Sequence, residues 1–137
     1  MSVQLSTYAR NIWLQALADA IDNGTGPGKI RIWWTWIDGL AVDSLGGVVA
    51  AELTLSEPCG TVSNGVLTFN PITSGVSDYY ISSWSNMTAQ IVNGSGTPII
   101  EFRVSDINGN APIKLQPAPW YEGTPVHLNS LTINGPM

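Results

Sequence analysis

Charge is what this sequence has least of: only 11% of its residues are Asp, Glu, Lys or Arg, and ten acidic against five basic residues leave a net charge of −5. Five cations cannot build the basic stripe that tracks a phosphate backbone, so nucleic-acid binding is excluded first. Cysteine is almost missing as well. Cys59 alone closes no internal disulfide, and between Pro58 and Gly60, with no metal-ligand spacing around it, it reads as a small buried apolar residue. Histidine is represented only by His127, which lies in an alternating run without a Gly-x-Ser-x-Gly elbow or other nucleophile motif. A structural or solvent-facing histidine is expected, and hydrolytic catalysis has no support. No apolar run approaches the ~20 residues that span a bilayer, and no basic segment followed by an apolar core opens the chain. The expectation is a soluble protein with no membrane partner.

Convergent acidic clusters are also lacking. The carboxylates are scattered from Asp19 to Glu122. Asp106-Ile107-Asn108-Gly109-Asn110 starts like a calcium loop but has no glutamate at the closing offset, and turn chemistry accounts for it. Gly24-Thr25-Gly26-Pro27-Gly28-Lys29 joins a helix to a strand, the reverse of a phosphate loop. Asn23-Gly24-Thr25, Asn86-Met87-Thr88 and Asn93-Gly94-Ser95 match the glycosylation pattern, yet without a signal peptide they read as turn and strand residues. No catalytic residue, metal ligand or cofactor site is assigned, and the chain is not expected to be an enzyme.

What the sequence does have is one amphipathic helix and a series of short strands. At 137 residues it suits a single domain, 1–137, with a helix over 5–23 and a β region over 29–134. At 100° per residue, Asn11, Gln15, Asp19 and Asp22 fall within an arc of about 80°, and Leu5, Ala9, Ile12, Trp13, Ala16, Leu17 and Ala20 fill the opposite side. Ser6 is placed as the N-cap and Asn23-Gly24 as the stop. The helix, about 24 Å long, is expected to lay its alanine-rich face on the sheet that Lys29 to Trp36 begins. In that strand Ile30, Ile32, Trp34 and Trp36 share one side, and Arg31, Trp33 and Thr35 the other.

Further strands are expected at Val48–Leu55, Val66–Asn70, within Tyr79–Val92, at Pro98–Val104, at Ile113–Leu115 and along Pro125–Ile133. Asn93-Gly94-Ser95-Gly96 is the clearest hairpin turn, because its glycines allow positive φ between two strand-like runs. Leu40 to Gly47 reads as a loop. Short strands at regular spacing, joined by Gly, Pro and Asn turns, indicate a mainly β protein: an antiparallel β-sandwich or jelly-roll-like domain with one N-terminal amphipathic helix.

Aromatic residues are the remaining functional signal, because low charge combined with six tryptophans suggests apolar surface that another chain covers. Trp33, Trp34 and Trp36 cannot all share one core, since alternation sends Trp33 to the other face; core and interface remain open for it. Tyr79, Tyr80, Trp84, Trp120 and Tyr121 lie near turns, where a ring can anchor a partner or stack on a sugar, or belong to a core or its rim.

Leu5-Ser6-Thr7, Arg10-Asn11, Leu14, Ala16-Leu17, Asp19-Ala20-Ile21-Asp22, Gly24, Gly26 and Lys29-Ile30-Arg31-Ile32 resemble the opening of a group of small virion proteins of tailed bacteriophages. The likeness continues through Glu52-Leu53-Thr54-Leu55-Ser56, Asn64-Gly65-Val66-Leu67-Thr68 and Ser130-Leu131-Thr132-Ile133. Where that group carries a Tyr-Thr-Gly turn and a proline after the first strand, this chain has Trp33 to Ile37. The resemblance implies a non-enzymatic capsid decoration or cement protein on the virion exterior, assembled in the host cytoplasm. Its partners would be the major capsid protein and further copies of itself, as a dimer or trimer. A tail or neck adaptor is the alternative within the same particle, and a carbohydrate-binding β-sandwich module is the alternative outside it.

Overall fold

The computed structural model describes residues 5–34, 48–81, 87–106, 113–115 and 119–134. The chain begins with α1 (Thr7–Asp22) and continues through β1 (Lys29–Trp34), β2 (Val48–Thr54), β3 (Gly60–Ser63), β4 (Val66–Phe69) and β5 (Gly75–Val76). After these come β6 (Met87–Val92), β7 (Pro98–Asp106), β8 (Ile113–Leu115), β9 (Pro125–Val126) and β10 (Thr132–Asn134). A five-stranded sheet has the order β2-β1-β6-β7-β8, a three-stranded sheet the order β10-β4-β3, and β5 pairs with β9. The protein is mainly β with antiparallel sheets and one N-terminal helix. The parallel β7–β8 pair is the exception among the described strands.

The five-stranded sheet is built on β1. Ile30 and Ile32 are fully buried and stand opposite Leu53 and Ala51 of β2 on one side and Ile91 and Ala89 of β6 on the other. On the alternate positions, Arg31 Nε donates to Glu52 Oε2 at 3.0 Å and Lys29 Nζ lies 3.3 Å from Glu52 Oε1. Burial alone would raise the Glu52 carboxyl, but hydrogen bonds from Arg31 and Lys29 prevail and hold it below the usual glutamate value. Its contribution to stability is therefore present above that value and is lost as the pH falls through the lowered one. Between Ile32 and Trp33 the register with β2 shifts, leaving Ala50 as the extra residue of a bulge.

The β6–β7 hairpin forms where expected. The Asn93 side chain is buried and accepts from the N–H groups of both Ser95 and Thr97 at 3.0 Å. Gly96 holds φ +84. The Gly94 N–H donates to the Asn23 carbonyl at 3.0 Å, which ties this turn to the end of α1.

The helix itself is where expected, but its orientation is not. Ser6 caps it, its Oγ accepting from Ala9 N at 3.1 Å, and Gly24 carries φ +108 just beyond its end. Leu14, Ala18 and Ile21, spaced i, i+4, i+7, form its buried stripe, and the helix lies mainly against β3 and β4, touching the five-stranded sheet at β7. Of the face expected to be covered, Leu17 packs against the core, but the middle is turned outward: Ile12 is 56% and Trp13 53% exposed, and Ala16 is exposed beside them. The residues expected to be wet explain the reversal. Asn11 Oδ1 accepts from Gly65 N at 2.7 Å, and Asp22 Oδ1 accepts from Cys59 N at 2.9 Å. Two polar side chains thus satisfy backbone donors at the ends of β3 and in its turn, and they bring the three apolar residues between them onto the core.

Several boundaries also differ. β3 and β5 were not expected. Asn64 (φ 54) and Gly65 (φ 75) make a two-residue turn of the kind that joins hairpin strands, so β3 is the partner that β4 needs. The Pro125–Ile133 run is interrupted: β9 pairs with β5, and β10 pairs with β4. Tyr79–Ile81 joins no strand of the five-stranded sheet, and β6 begins at Met87. The expected loop over Leu40–Gly47 and the turn after Asp106 lie outside the described residues.

Candidate functional site

The eight aromatic residues singled out in the sequence separate into four groups. Trp36 and Trp84 lie outside the described residues. Trp33 and Trp34 are half-buried in β1. The Trp33 indole N–H donates to Gln90 Oε1 at 3.2 Å, and Trp34 packs against the core. Trp120 is no surface residue at all: it is 1% exposed and among the largest fully buried side chains. Its place in a docking surface is therefore corrected to a place in the core. Tyr79, Tyr80 and Tyr121 are all exposed, Tyr121 to 60%. The rings of Tyr80 and Tyr121 meet with centroids 5.3 Å apart and planes tilted by 45°.

Backbone hydrogen bonds fix the two segments that carry these tyrosines. Ile81 and Trp120 exchange both N–H···O bonds at 2.8 Å, which sets Tyr80 beside Tyr121. The turn after Trp120 closes on itself, Tyr121 N donating to Thr124 Oγ1 at 2.8 Å and Thr124 N to the Tyr121 carbonyl at 2.9 Å. Gly123 (φ +88) then donates to the Ser77 carbonyl at 2.7 Å, and Ser77 N to the Thr124 carbonyl at 2.8 Å. Asp78 N reaches the Ala50 carbonyl of β2 at 2.8 Å, linking the cluster to the main sheet. Val76, in β5, is exposed as well. A set of phenol rings held this way offers apolar area at little entropic cost and hydroxyls at its edge for hydrogen bonding.

The second exposed apolar surface is the outward face of α1, with Tyr8, Ile12, Trp13 and Ala16. Sequence periodicity found this stripe correctly as the helix's widest apolar face and placed it on the wrong side. The signal that could have reversed the assignment is the pair Asn11 and Asp22, which flank Leu14, Ala18 and Ile21.

Ser74 Oγ and His127 Nδ1 are 2.7 Å apart, joining the residue before β5 to the residue after β9. Both side chains are exposed, so water competes for the contact. Among the described residues no three His, Cys, Asp or Glu side chains are grouped as a metal site, and no helix is long and apolar enough to cross a membrane. Cys59 is buried, and burial together with the Asp22 carboxylate pushes its thiol up from 9.0 to about 12. The folded value lies above the unfolded one, so this contribution to stability is complete below the unfolded value and lost as the pH rises toward the folded one. A thiol reagent at pH ~8 should label Cys59 only after denaturation, since attack requires an exposed thiolate. The urea midpoint should fall between pH 9.0 and about 12, and fall less in Cys59→Ala; native labelling at pH ~8, measured by mass spectrometry, would contradict this environment.

Comparison with protein-family models, with curated proteins and with solved structures finds no match to this chain.

Proposed function

We propose that this protein is a non-catalytic structural component of a bacteriophage virion, a decoration or cement protein that binds the capsid exterior and bridges capsid subunits. The observation that carries the reading is the presence of two exposed apolar surfaces on different elements, the Tyr80–Tyr121 pair with exposed Tyr79 next to it in sequence and the outward face of α1, on a chain with very little charge. A bridging protein needs more than one adhesive surface, and symmetry repeats each contact many times, so modest affinities multiply. A stable contact covers roughly 800 Å² per partner, with aromatic anchors at its centre and few charges. Tyrosine is among the residues that most often dominate such contacts. The resemblance of Leu5 to Ile32 to small virion proteins points to the capsid shell as the partner.

Tyr80→Ala/Tyr121→Ala is the test. Truncating two central rings typically costs 2 kcal/mol or more, so binding to purified capsid shells should weaken by about 30-fold or more. The thermal midpoint should stay unchanged, because both rings are exposed. Wild-type affinity in the double variant would overturn the assignment of this surface. Densitometry of virions separates the in-particle alternative: a cement protein approaches the capsid protein in copy number, whereas a neck adaptor numbers about a dozen under ring symmetry. The tilted tyrosine pair gives the carbohydrate reading its one specific support, since phenol faces stack on sugar rings. Glycan binding lost in the same double variant, with shell binding intact, would favour that reading instead.

A further inference from the structure

Tyr80 and Tyr121 meet as a cross-strand pair of exposed phenols, and we infer that they form a site of oxidative modification, at which hydrogen peroxide acting through a peroxidase couples them into an intramolecular dityrosine. Ile81 and Trp120 exchange both N–H···O bonds at 2.8 Å, which makes them the hydrogen-bonded pair of an antiparallel bridge. The adjoining positions, Tyr80 and Tyr121, therefore stand opposite each other as a pair without backbone bonds, the arrangement in which facing side chains come closest. Alternation turns them away from Ile81 and Trp120, which are buried, and both tyrosines are exposed. An oxidant reaches the two rings from solvent. Their centroids lie 5.3 Å apart with planes tilted by 45°. Joining a carbon of each ring requires the centroids to close by about 1 Å, the scale of thermal displacement of an exposed side chain. Of the four tyrosines, these are the two whose rings meet, and Tyr8 is exposed on a different element, α1.

The chemistry balances with the oxidant named. Each phenol gives up one electron and one proton and becomes a phenoxyl radical. The two radicals join through ring carbons next to the hydroxyl-bearing ones, forming one C–C bond, and each of those carbons then passes its hydrogen to the ring oxygen, which restores both phenols. The protein loses two hydrogen atoms in total, and one hydrogen peroxide is reduced to two waters. A thiol could repair such a radical by giving it a hydrogen atom, but the single thiol, Cys59, is buried against Ala18 of α1. The product is a covalent link beside the Ile81–Trp120 bridge, between segments far apart in sequence, in a chain whose one cysteine forms no internal disulfide. Such a link restricts the unfolded chain as a disulfide would. No capsid partner enters this chemistry, so it and the bridging role can fail separately.

The full chain at about 1 µM, where encounters between chains are rare, is treated with hydrogen peroxide and a trace of haem peroxidase. Dityrosine fluorescence should appear in material that still runs as a single chain on a denaturing gel, with an intact mass lower by two hydrogen atoms. Fragment mass spectrometry should join the peptide of Tyr80 to that of Tyr121. Tyr80→Phe and Tyr121→Phe keep the ring and the fold but remove the phenol, and each should abolish the single-chain product; Tyr8→Phe should leave its yield unchanged. Urea-unfolded chain, in which the intervening segment supplies only a modest effective concentration, should yield at least ~10-fold less. The linked protein should unfold at a higher urea concentration than the untreated one. Absence of a single-chain dityrosine, wild-type yield in Tyr80→Phe or Tyr121→Phe, a link mapped to Tyr8 or Tyr79, or equal yield from the unfolded chain would each overturn the inference.

Discussion

Trp120→Ala is expected to lower stability by ~3–5 kcal/mol, whereas Tyr121→Ala, one residue on, should change it by less than ~0.5 kcal/mol. Trp120 is essentially without solvent contact, and its backbone exchanges two hydrogen bonds with Ile81, itself buried. Removing the indole leaves a cavity in the core that the hydrogen-bonded segments on either side cannot close. The transfer loss and the cavity then add. Urea unfolding followed by far-UV circular dichroism measures both variants. Similar losses in the two would mean that Tyr121 is held by the core and is not free for a partner. A loss below ~1 kcal/mol in Trp120→Ala would mean that the ring is not packed as described.

The second large effect is expected where the helix is fastened. Asn11→Ala/Asp22→Ala should cost ~2–5 kcal/mol in total, because each substitution leaves a backbone donor, Gly65 N or Cys59 N, without its acceptor. The two sites lie about three helical turns apart and do not share partners, so the single effects should nearly add. Gln15→Ala/Asp19→Ala is the matched control. Those side chains bond to each other on the exposed side of the same helix, at 3.0 Å, and their loss should fall within ~0.5 kcal/mol. If the control pair proved as costly, the helix would be seated on the other face.

That comparison also shows what the sequence could and could not disclose. The helix limits, the strands β1 and β2 and the Asn93 hairpin were legible because each rests on local chemistry: a cap, an alternation, a turn residue. The seating of the helix was not. Helical periodicity sorts residues by polarity, and Asn11 and Asp22 are polar, yet each meets a backbone N–H more than thirty residues away in sequence. The seven apolar residues on the opposite side outnumber the three that are buried, so periodicity weighted the wrong stripe. A similar limit applies at Pro119-Trp120-Tyr121. Proline-broken chain has no alternation to show which ring turns inward, and the answer comes from a bridge between Ile81 and Trp120, far apart in sequence. Of the aromatic residues chosen from the sequence, Tyr80 and Tyr121 meet at the surface, Tyr79 is exposed, Trp120 lies in the core, and Trp33 and Trp34 remain in the main sheet. The helix face contributed Tyr8, Ile12 and Trp13, which the sequence reading had assigned to the interior or passed over.

One feature of the helix bears on any contact it makes. It is held by Asn11 near its start, by Asp22 at its end, and by the Asn23 carbonyl against the turn of the β6–β7 hairpin. A bar fastened at those points has little motion left to lose, so an incoming surface encounters its final geometry at once and the association forfeits almost no conformational entropy on this side. Even a contact of small area can then have a long residence time, and loosening any one fastening should shorten that time before it disturbs the fold.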